Sequence, residues 1–388
     1  MTQNFFPDRL ERLSAILQDE IDRKRLPGCV VYIARQGKVV MHQALGWQQP
    51  EEKVAMTTDS VFRIYSMTKP ITSVAIMMLM EQGKLLLSSP VSRFIPEFAK
   101  PQVISSKGDQ DTLRPAAREA TVHDLLRHTA GISYEFLGAS SIHRQYTAAR
   151  MGTRDRANAD FMPALGQLPL IADPGTVWEY SRATDVLGRV IEVASGLSLG
   201  EFFKQHIFGP LRMPDTTFTV PANDHNRVAE PFKRDPDGQP LMKVFDIKRP
   251  ALFESGGGGL ASTAQDYGRF MQFMLNRGEL DGVRLLGPQT VDFMTADHLG
   301  DIPVNSGGSA NLLLPGYGFG LGFAVRKGKG QSFAHGSKGL YYWGGLAGTT
   351  FFIDPEQQLC ATLMLQAPNQ REYYRHLFRG LVYSALSN

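Results

Sequence analysis

Ser66 and Lys69 stand three residues apart within residues 61–70 (VFRIYSMTKP). A serine hydroxyl is a weak nucleophile near neutral pH and needs a base beside it. On a helix, positions i and i+3 share a face, which would put Lys69 next to the Ser66 hydroxyl. The residues that follow predict that helix. Pro70 falls in a first turn, Ile71, Val74, Ala75, Met78 and Leu79 recur at helical spacing, and Gly83 ends the run. Ser66 then sits at a helix N-terminus, where free N–H groups and the helix dipole favour developing negative charge. No other serine in the chain has a lysine at +3. The pair alone also fits an N-cap serine followed by a solvated lysine.

Other segments hold residues with chemical potential. A Pro174-Gly175 turn delivers Trp178-Glu179-Tyr180-Ser181-Arg182 just before a predicted helix. A phenol beside a lysine ammonium can act as a base; Tyr180 also fits a core or interface role. Tyr341–Gly348 (YYWGGLAG) precedes a predicted strand, and its glycines allow close backbone approach to a ligand. A strand entering from such a loop can offer an N–H to a carbonyl oxygen; a bulge with packing aromatics is the alternative. Gly196-Leu197-Ser198-Leu199-Gly200 matches GxSxG but lacks the strand–turn–helix context of a nucleophile elbow. Ser198 with Glu201 three residues on reads as a capping box.

The elements around these segments come from both ends of the chain. An amphipathic helix is expected over 8–26, followed by strands at 29–34 and 39–45. The other end mirrors this with strands at 349–353 and 359–365 and a helix over 369–386. One antiparallel sheet covered by both terminal helices accounts for the pattern, with the middle of the chain as an insertion. The expected division is an α/β lobe from 1–90 and 255–388 and a mostly helical lobe from 91–254, with the site between them. Stretches 137–170 and 221–250 read as long irregular loops, and 255–262 (SGGGGLAS) as a flexible return.

Five segments in order resemble the serine β-lactamase/penicillin-binding-protein superfamily, and more closely its class C β-lactamase-like carboxylesterases, the family VIII esterases. They are SMTK at 66–69, RHTAGI at 127–132, DPGTVWEYSRATDVLG at 173–188, YGFGLGF at 317–323 and WGGLAGTTFFIDP at 343–355. The resemblance implies an α/β (α+β) β-lactamase-like fold and a serine esterase acting through an acyl-enzyme. Ser66 would be the nucleophile, Lys69 and Tyr180 the hydrogen-bonded base and acid pair, and the backbone N–H groups of Ser66 and Leu346 the oxyanion hole. Trp343 would stand where the lactamases carry the lysine of Lys-Thr-Gly, with Gly344 and Gly345 completing the motif. His335-Gly336-Ser337 competes for that position, but its distance to 353–355 fits less well. Tyr134, Phe136, Trp178 and Phe319 are expected as pocket walls.

Departures from the lactamase pattern point toward esters. Arg182 replaces an asparagine, and Trp343 replaces the cation of the third motif, which favours neutral, apolar groups. Arg182 could still attract an anion. The expected substrate is a small ester with a short acyl chain; a β-lactamase, D-aminopeptidase or acyltransferase is the first alternative, and a non-catalytic binding module the second. The charge of +3 over 388 residues, with no long basic run, argues against nucleic acid. No metal-binding motif or cofactor fingerprint is present, and His128 reads as structural. No run is long and apolar enough for a membrane span and no secretion signal is visible, so a cytoplasmic location is expected. Cys29 and Cys360 lie in apolar strands and are expected as buried free thiols, with a disulfide left open.

Overall fold

The apolar run at 29–34 forms the strand Gly28–Arg35, and every residue of it is buried. A strand covered on both faces has no solvent side, so it does not alternate. In this computed structural model, which describes residues 4–107 and 110–387, it lies inside an eight-stranded antiparallel sheet. The order across the sheet is Tyr317–Phe319, Ala324–Arg326, Tyr341–Gly344, Thr350–Asp354, Leu359–Leu365, Gly28–Arg35, Lys38–Gln49 and Val54–Ala55. The two chain ends therefore meet within one sheet, where Val30 faces Met364 and Tyr32 faces Thr362. Cys29 and Cys360 are free and buried.

The terminal helices, Pro7–Asp22 and Arg371–Ala385, pack on each other. The Phe6 N–H donates to the Ala385 carbonyl at 2.8 Å, and the Tyr374 hydroxyl donates to Glu20 at 3.1 Å. A third helix, Ala264–Leu275, lies against Gly28–Arg35 and Leu359–Leu365. Gly268 permits that approach, since a Cβ there would fall 2.6 Å from the Tyr32 ring. The fold is thus the β-lactamase-like arrangement of an antiparallel sheet with helices.

The stretch between the two ends contains the helices Val122–Leu126, Ser141–Ala148, Asn158–Gly166, Ala183–Ser195 and Leu199–Phe203. It also contains a hairpin that the sequence reading did not foresee, Gln102–Lys107 with Gln110–Pro115. Two expectations need correction. Residues 137–170 are not irregular, because two of these helices lie there and bury Ile142, Tyr146, Phe161, Met162 and Leu165. Nor is 255–262 a loose return. Ser255 Oγ and the Gly257 N–H donate to Asp185 at 2.5 and 2.9 Å, and Ala261–Ser262 pairs with Phe62–Arg63. The glycines are there for close packing: a Cβ on Gly256 would fall 2.7 Å from the Thr184 carbonyl oxygen.

Candidate active site

Phe62–Arg63 feeds a 3₁₀ turn, Tyr65–Met67, that runs directly into the helix Thr68–Glu81. Ser66 is therefore in the turn at the helix entrance rather than in the helix proper. Tyr65 has φ +44°, a left-handed conformation that costs a bulky residue about 1–3 kcal/mol. The surroundings hold it: its hydroxyl accepts from the Phe245 N–H at 3.2 Å, and the Met67 carbonyl accepts from the Tyr267 hydroxyl at 2.9 Å.

Lys69 is fully buried one turn beyond Ser66. Its ammonium donates to Ser66 Oγ at 3.4 Å, to Tyr134 Oη at 3.1 Å and to the Gly257 carbonyl at 2.6 Å. Those three acceptors match its three N–H bonds. Burial alone would push its pKa down, but the oxygens of Tyr134 and Tyr180 and the Asp185 carboxylate outweigh it, and the net direction is up. That direction favours the protonated amine. Tyr180 meets it through the ring face, with Nζ 4.5 Å from the ring centroid. The Tyr180 oxygen accepts a hydrogen bond from Trp343 Nε1–H at 3.1 Å.

Beside the buried Lys69 lies a cavity of about 720 Å³. Ser66, Tyr134, Phe136, Tyr180, Trp343, Gly344 and Leu346 all line it. Leu346 and Ser66 both carry backbone N–H groups that donate to no acceptor among the described residues. Three expected wall or motif residues do not reach the cavity. Trp178 and Phe319 are completely buried, 5.4 Å apart between ring centroids. They pack behind the site, Trp178 6.3 Å from the Tyr180 ring and Phe319 5.4 Å from the Trp343 ring. Gly345 is a packing position, where a Cβ would fall 2.4 Å from the Ile64 carbonyl oxygen.

Arg182 lines the cavity but is not a free anion trap. It holds Glu135 through Nε and Nη2 at 2.8–3.0 Å and Asp185 at 3.3 Å. The expectation that it attracts a ligand anion is corrected accordingly. Asp185 thereby ties together Arg182, Ser255 and Gly257, and Gly257 in turn receives Lys69. Sequence reasoning missed Asp185 and Gly257, although both lie within or beside motifs it quoted.

The remaining candidates sit elsewhere. Ser198 caps Leu199–Phe203 in a reciprocal box with Glu201. His335 stacks on Tyr383, 5.9 Å between centroids. His128 is buried against Tyr180, and burial together with the nearby Lys69 charge pushes its pKa well down; its Nδ1 lies 3.1 Å from Ser181 Oγ. Among the described residues no group of three or more His, Cys, Asp or Glu is arranged to hold a metal ion. No helix among them is long and apolar enough to cross a membrane.

Comparison with known proteins adds to this geometry. A family model described as Beta-lactamase matches residues 13–383. Esterase EstB of Burkholderia gladioli is 31% identical over 373 residues, covering 91% of this chain and 89% of that protein. A lovastatin esterase of Penicillium rubens is 30% identical, covering 92% of each. Among solved structures, EstCE1, described as a hydrolase with promiscuous acyltransferase activity, superposes with a TM-score of 0.79 at 27% identity, covering 97% of this chain and 98% of that one.

Proposed function

This chain belongs to the beta-lactamase family and has esterases among its relatives, and we propose that it is a serine carboxylesterase hydrolysing small, short-acyl esters through an acyl-enzyme on Ser66. The observation that carries the reading is the cluster of Ser66 Oγ, the Lys69 ammonium and Tyr180 at one cavity, with an indole N–H rather than a third cation on the Tyr180 oxygen. In this reading Ser66 Oγ attacks the ester carbonyl as its proton passes to the Lys69/Tyr180 pair, which reacts in the form one proton short of ammonium plus phenol, with the Trp343 N–H on the Tyr180 oxygen. The tetrahedral oxyanion takes hydrogen bonds from the Ser66 and Leu346 N–H groups. Its collapse expels the alcohol, which regains the proton. Water then repeats the sequence on the acyl-enzyme and releases the acid.

The proposal places the site between a lobe from residues 1–90 and 255–388 and a mostly helical lobe from 91–254. Two features support an ester over a lactam. Trp343 offers a neutral donor and an apolar ring, and Arg182 is engaged by Glu135 and Asp185. The test is side-by-side turnover of p-nitrophenyl butyrate and a chromogenic cephalosporin by the wild type and Ser66→Ala. Faster cephalosporin hydrolysis, or ester hydrolysis that survives Ser66→Ala, overturns the reading. Acyl transfer to an alcohol is a second reading, favoured by a cavity of about 720 Å³, more than a short acyl group fills. Product partition between butyric acid and a butyrate ester in the presence of an added alcohol separates the two.

A further inference from the structure

The cavity contains a cation for which the mechanism above has no use. Arg182 is paired with Glu135 and Asp185, and Arg371 and Arg375 with Glu372. Arg379 is 5% exposed, donates to the Tyr317 hydroxyl at 2.9 Å and lies over the Tyr342 ring. Arg154 also lines the cavity and, like Arg379, has no carboxylate among the described residues within 4.0 Å of it, but it is only partly buried and so stays within reach of a ligand. Its guanidinium stacks 3.7 Å from the Phe245 ring centroid, and Nη2 donates to the Gly258 carbonyl at 3.2 Å. The remaining donors of the fork have no protein acceptor among the described residues.

The position relates this cation to the reacting centre. Gly258 packs on Tyr65, the residue before Ser66; a Cβ on Gly258 would fall 3.5 Å from the Tyr65 carbonyl carbon. The preceding carbonyl, that of Gly257, receives Lys69. Arg154 is thus anchored one residue along from the group that holds the Lys69 ammonium. Burial pushes its pKa down from the usual arginine value, yet arginine stays charged across the working range. A partly desolvated cation left without a counter-ion is costly, and one already fixed by an aromatic face and a carbonyl loses little freedom on binding an anion.

We propose that Arg154 is a carboxylate subsite, and that the preferred substrates are esters bearing a carboxylate within a few bonds of the scissile carbonyl. This rests on the esterase reading and narrows it: Trp343 faces the neutral reacting end, while Arg154 takes a charged end. The carboxylate has two possible sources. It belongs to the acyl part in a half-ester of a dicarboxylic acid, and to the alcohol part in an ester of a hydroxy acid.

Two matched pairs of esters test the proposal. The acyl arm compares mono-p-nitrophenyl glutarate with p-nitrophenyl butyrate; the alcohol arm compares 4-butyryloxybenzoate with 4-butyryloxybenzamide. In wild type, the anionic member of one pair is expected to have a kcat/KM at least about tenfold above its neutral partner, as one charge-assisted hydrogen-bonded contact predicts. The arm that shows the preference locates the carboxylate. Arg154→Gln is expected to cut that ratio by about tenfold or more. If the glutamine variant does not fold, Arg154→Lys replaces it; lacking the stacked fork, it should lower the ratio severalfold. No anionic preference in either arm, or a preference unchanged by substitution, overturns the subsite; hydrolysis of the neutral esters would leave the esterase reading standing. If no ester is turned over, the esterase reading fails, and calorimetric titration with 4-butoxybenzoate and 4-butoxybenzamide decides the subsite by itself. Tighter binding of the carboxylate that disappears with the Arg154 substitution supports it, and equal binding of the two compounds rejects it.

Discussion

Arg375, on the C-terminal helix, reaches the peptide that carries the proposed Leu346 oxyanion donor. Its Nη2 donates to the Gly345 carbonyl, and the N–H of that same peptide unit is that of Leu346. In a trans peptide the C=O and N–H point in opposite directions. A guanidinium that holds the carbonyl therefore aims the N–H away from itself, and Leu346 lines the cavity. Arg375→Met keeps an apolar stem of similar reach and removes one charge-assisted hydrogen bond, worth about 1.5–3 kcal/mol. Complete loss of an oxyanion donor costs about 3–4 kcal/mol, which bounds the effect. The expected result is a kcat lower by about 10- to 100-fold. KM should change by less than about twofold, because this donor meets charge that develops only in the transition state. Gly344→Ala reaches the same contact from the other side, since its Cβ would fall 2.7 Å from Arg375 Cζ and displace the guanidinium. Both substitutions break one interaction, so the double variant should lose no more than the worse single one. Glu372→Gln is the control. It removes the partly exposed ion pairs to Arg375 and Arg371 and leaves the Gly345 contact in place, and each pair should cost less than about 1 kcal/mol. The assay is steady-state turnover of p-nitrophenyl butyrate. A raised KM at unchanged kcat, or losses that multiply in the double variant, would refute the reasoning.

Ser66→Ala should reduce ester turnover to background and abolish labelling by a fluorophosphonate, read as a missing mass shift on the intact protein. Ser198→Ala should leave turnover intact and lower stability by about 1 kcal/mol through loss of the cap, seen as a lower Tm. Trp343→Phe keeps ring contacts with Tyr180 and Phe319 but loses the N–H on the Tyr180 oxygen; kcat/KM should fall by about tenfold, and an unchanged value means that donor is idle in the reaction. Burial is the largest influence on Asp266 and raises its carboxyl from 3.8 to about 6, against hydrogen bonds from Thr216 and the Asp215 N–H. A raised acid favours the protonated fold, so its contribution is full below about pH 4 and is lost as pH rises through about 6, a change of about 3 kcal/mol. Asp266→Asn does not titrate and should gain on the wild type between about pH 4 and pH 7 in urea unfolding; a difference that moves the other way contradicts the assignment.

Local patterns in the sequence were readable, and long-range partnerships were not. The Ser66–Lys69 contact is an i,i+3 relation, so spacing alone brings the two together. The strand at 359–365 and the two terminal helices follow from apolar runs and helical periodicity. By contrast, Lys69 finds its carbonyl 188 residues away at Gly257, and Tyr180 finds its donor 163 residues away at Trp343. No spacing rule reports such contacts. Trp178 and Phe319 show the same limit. An aromatic next to a motif is easily recognised as near the site, but whether it faces the cavity or the core depends on what packs behind it. Arg375 reads in sequence as one more charge on an amphipathic helix; only the fold lays it on the Gly344–Gly345 backbone.

The charges around Lys69 explain why position 343 suits an indole. Lys69 and Arg182 are buried cations, and Glu135 and Asp185 are the acids that face them. Arg375 already lies against the neighbouring Gly344. Trp343 is 6% exposed, so an ammonium placed there would be desolvated with no acid left to pair it. An unpaired buried charge costs about 3–5 kcal/mol. Trp343→Lys is therefore expected to lower stability by about 3 kcal/mol or more in urea unfolding, and to lose ester turnover without gaining hydrolysis of a chromogenic cephalosporin. Lactam recognition would then require a matched acid as well as the cation. A stable Trp343→Lys variant that hydrolyses the cephalosporin would mean that the existing acids can serve a third cation, and the charge argument would fail.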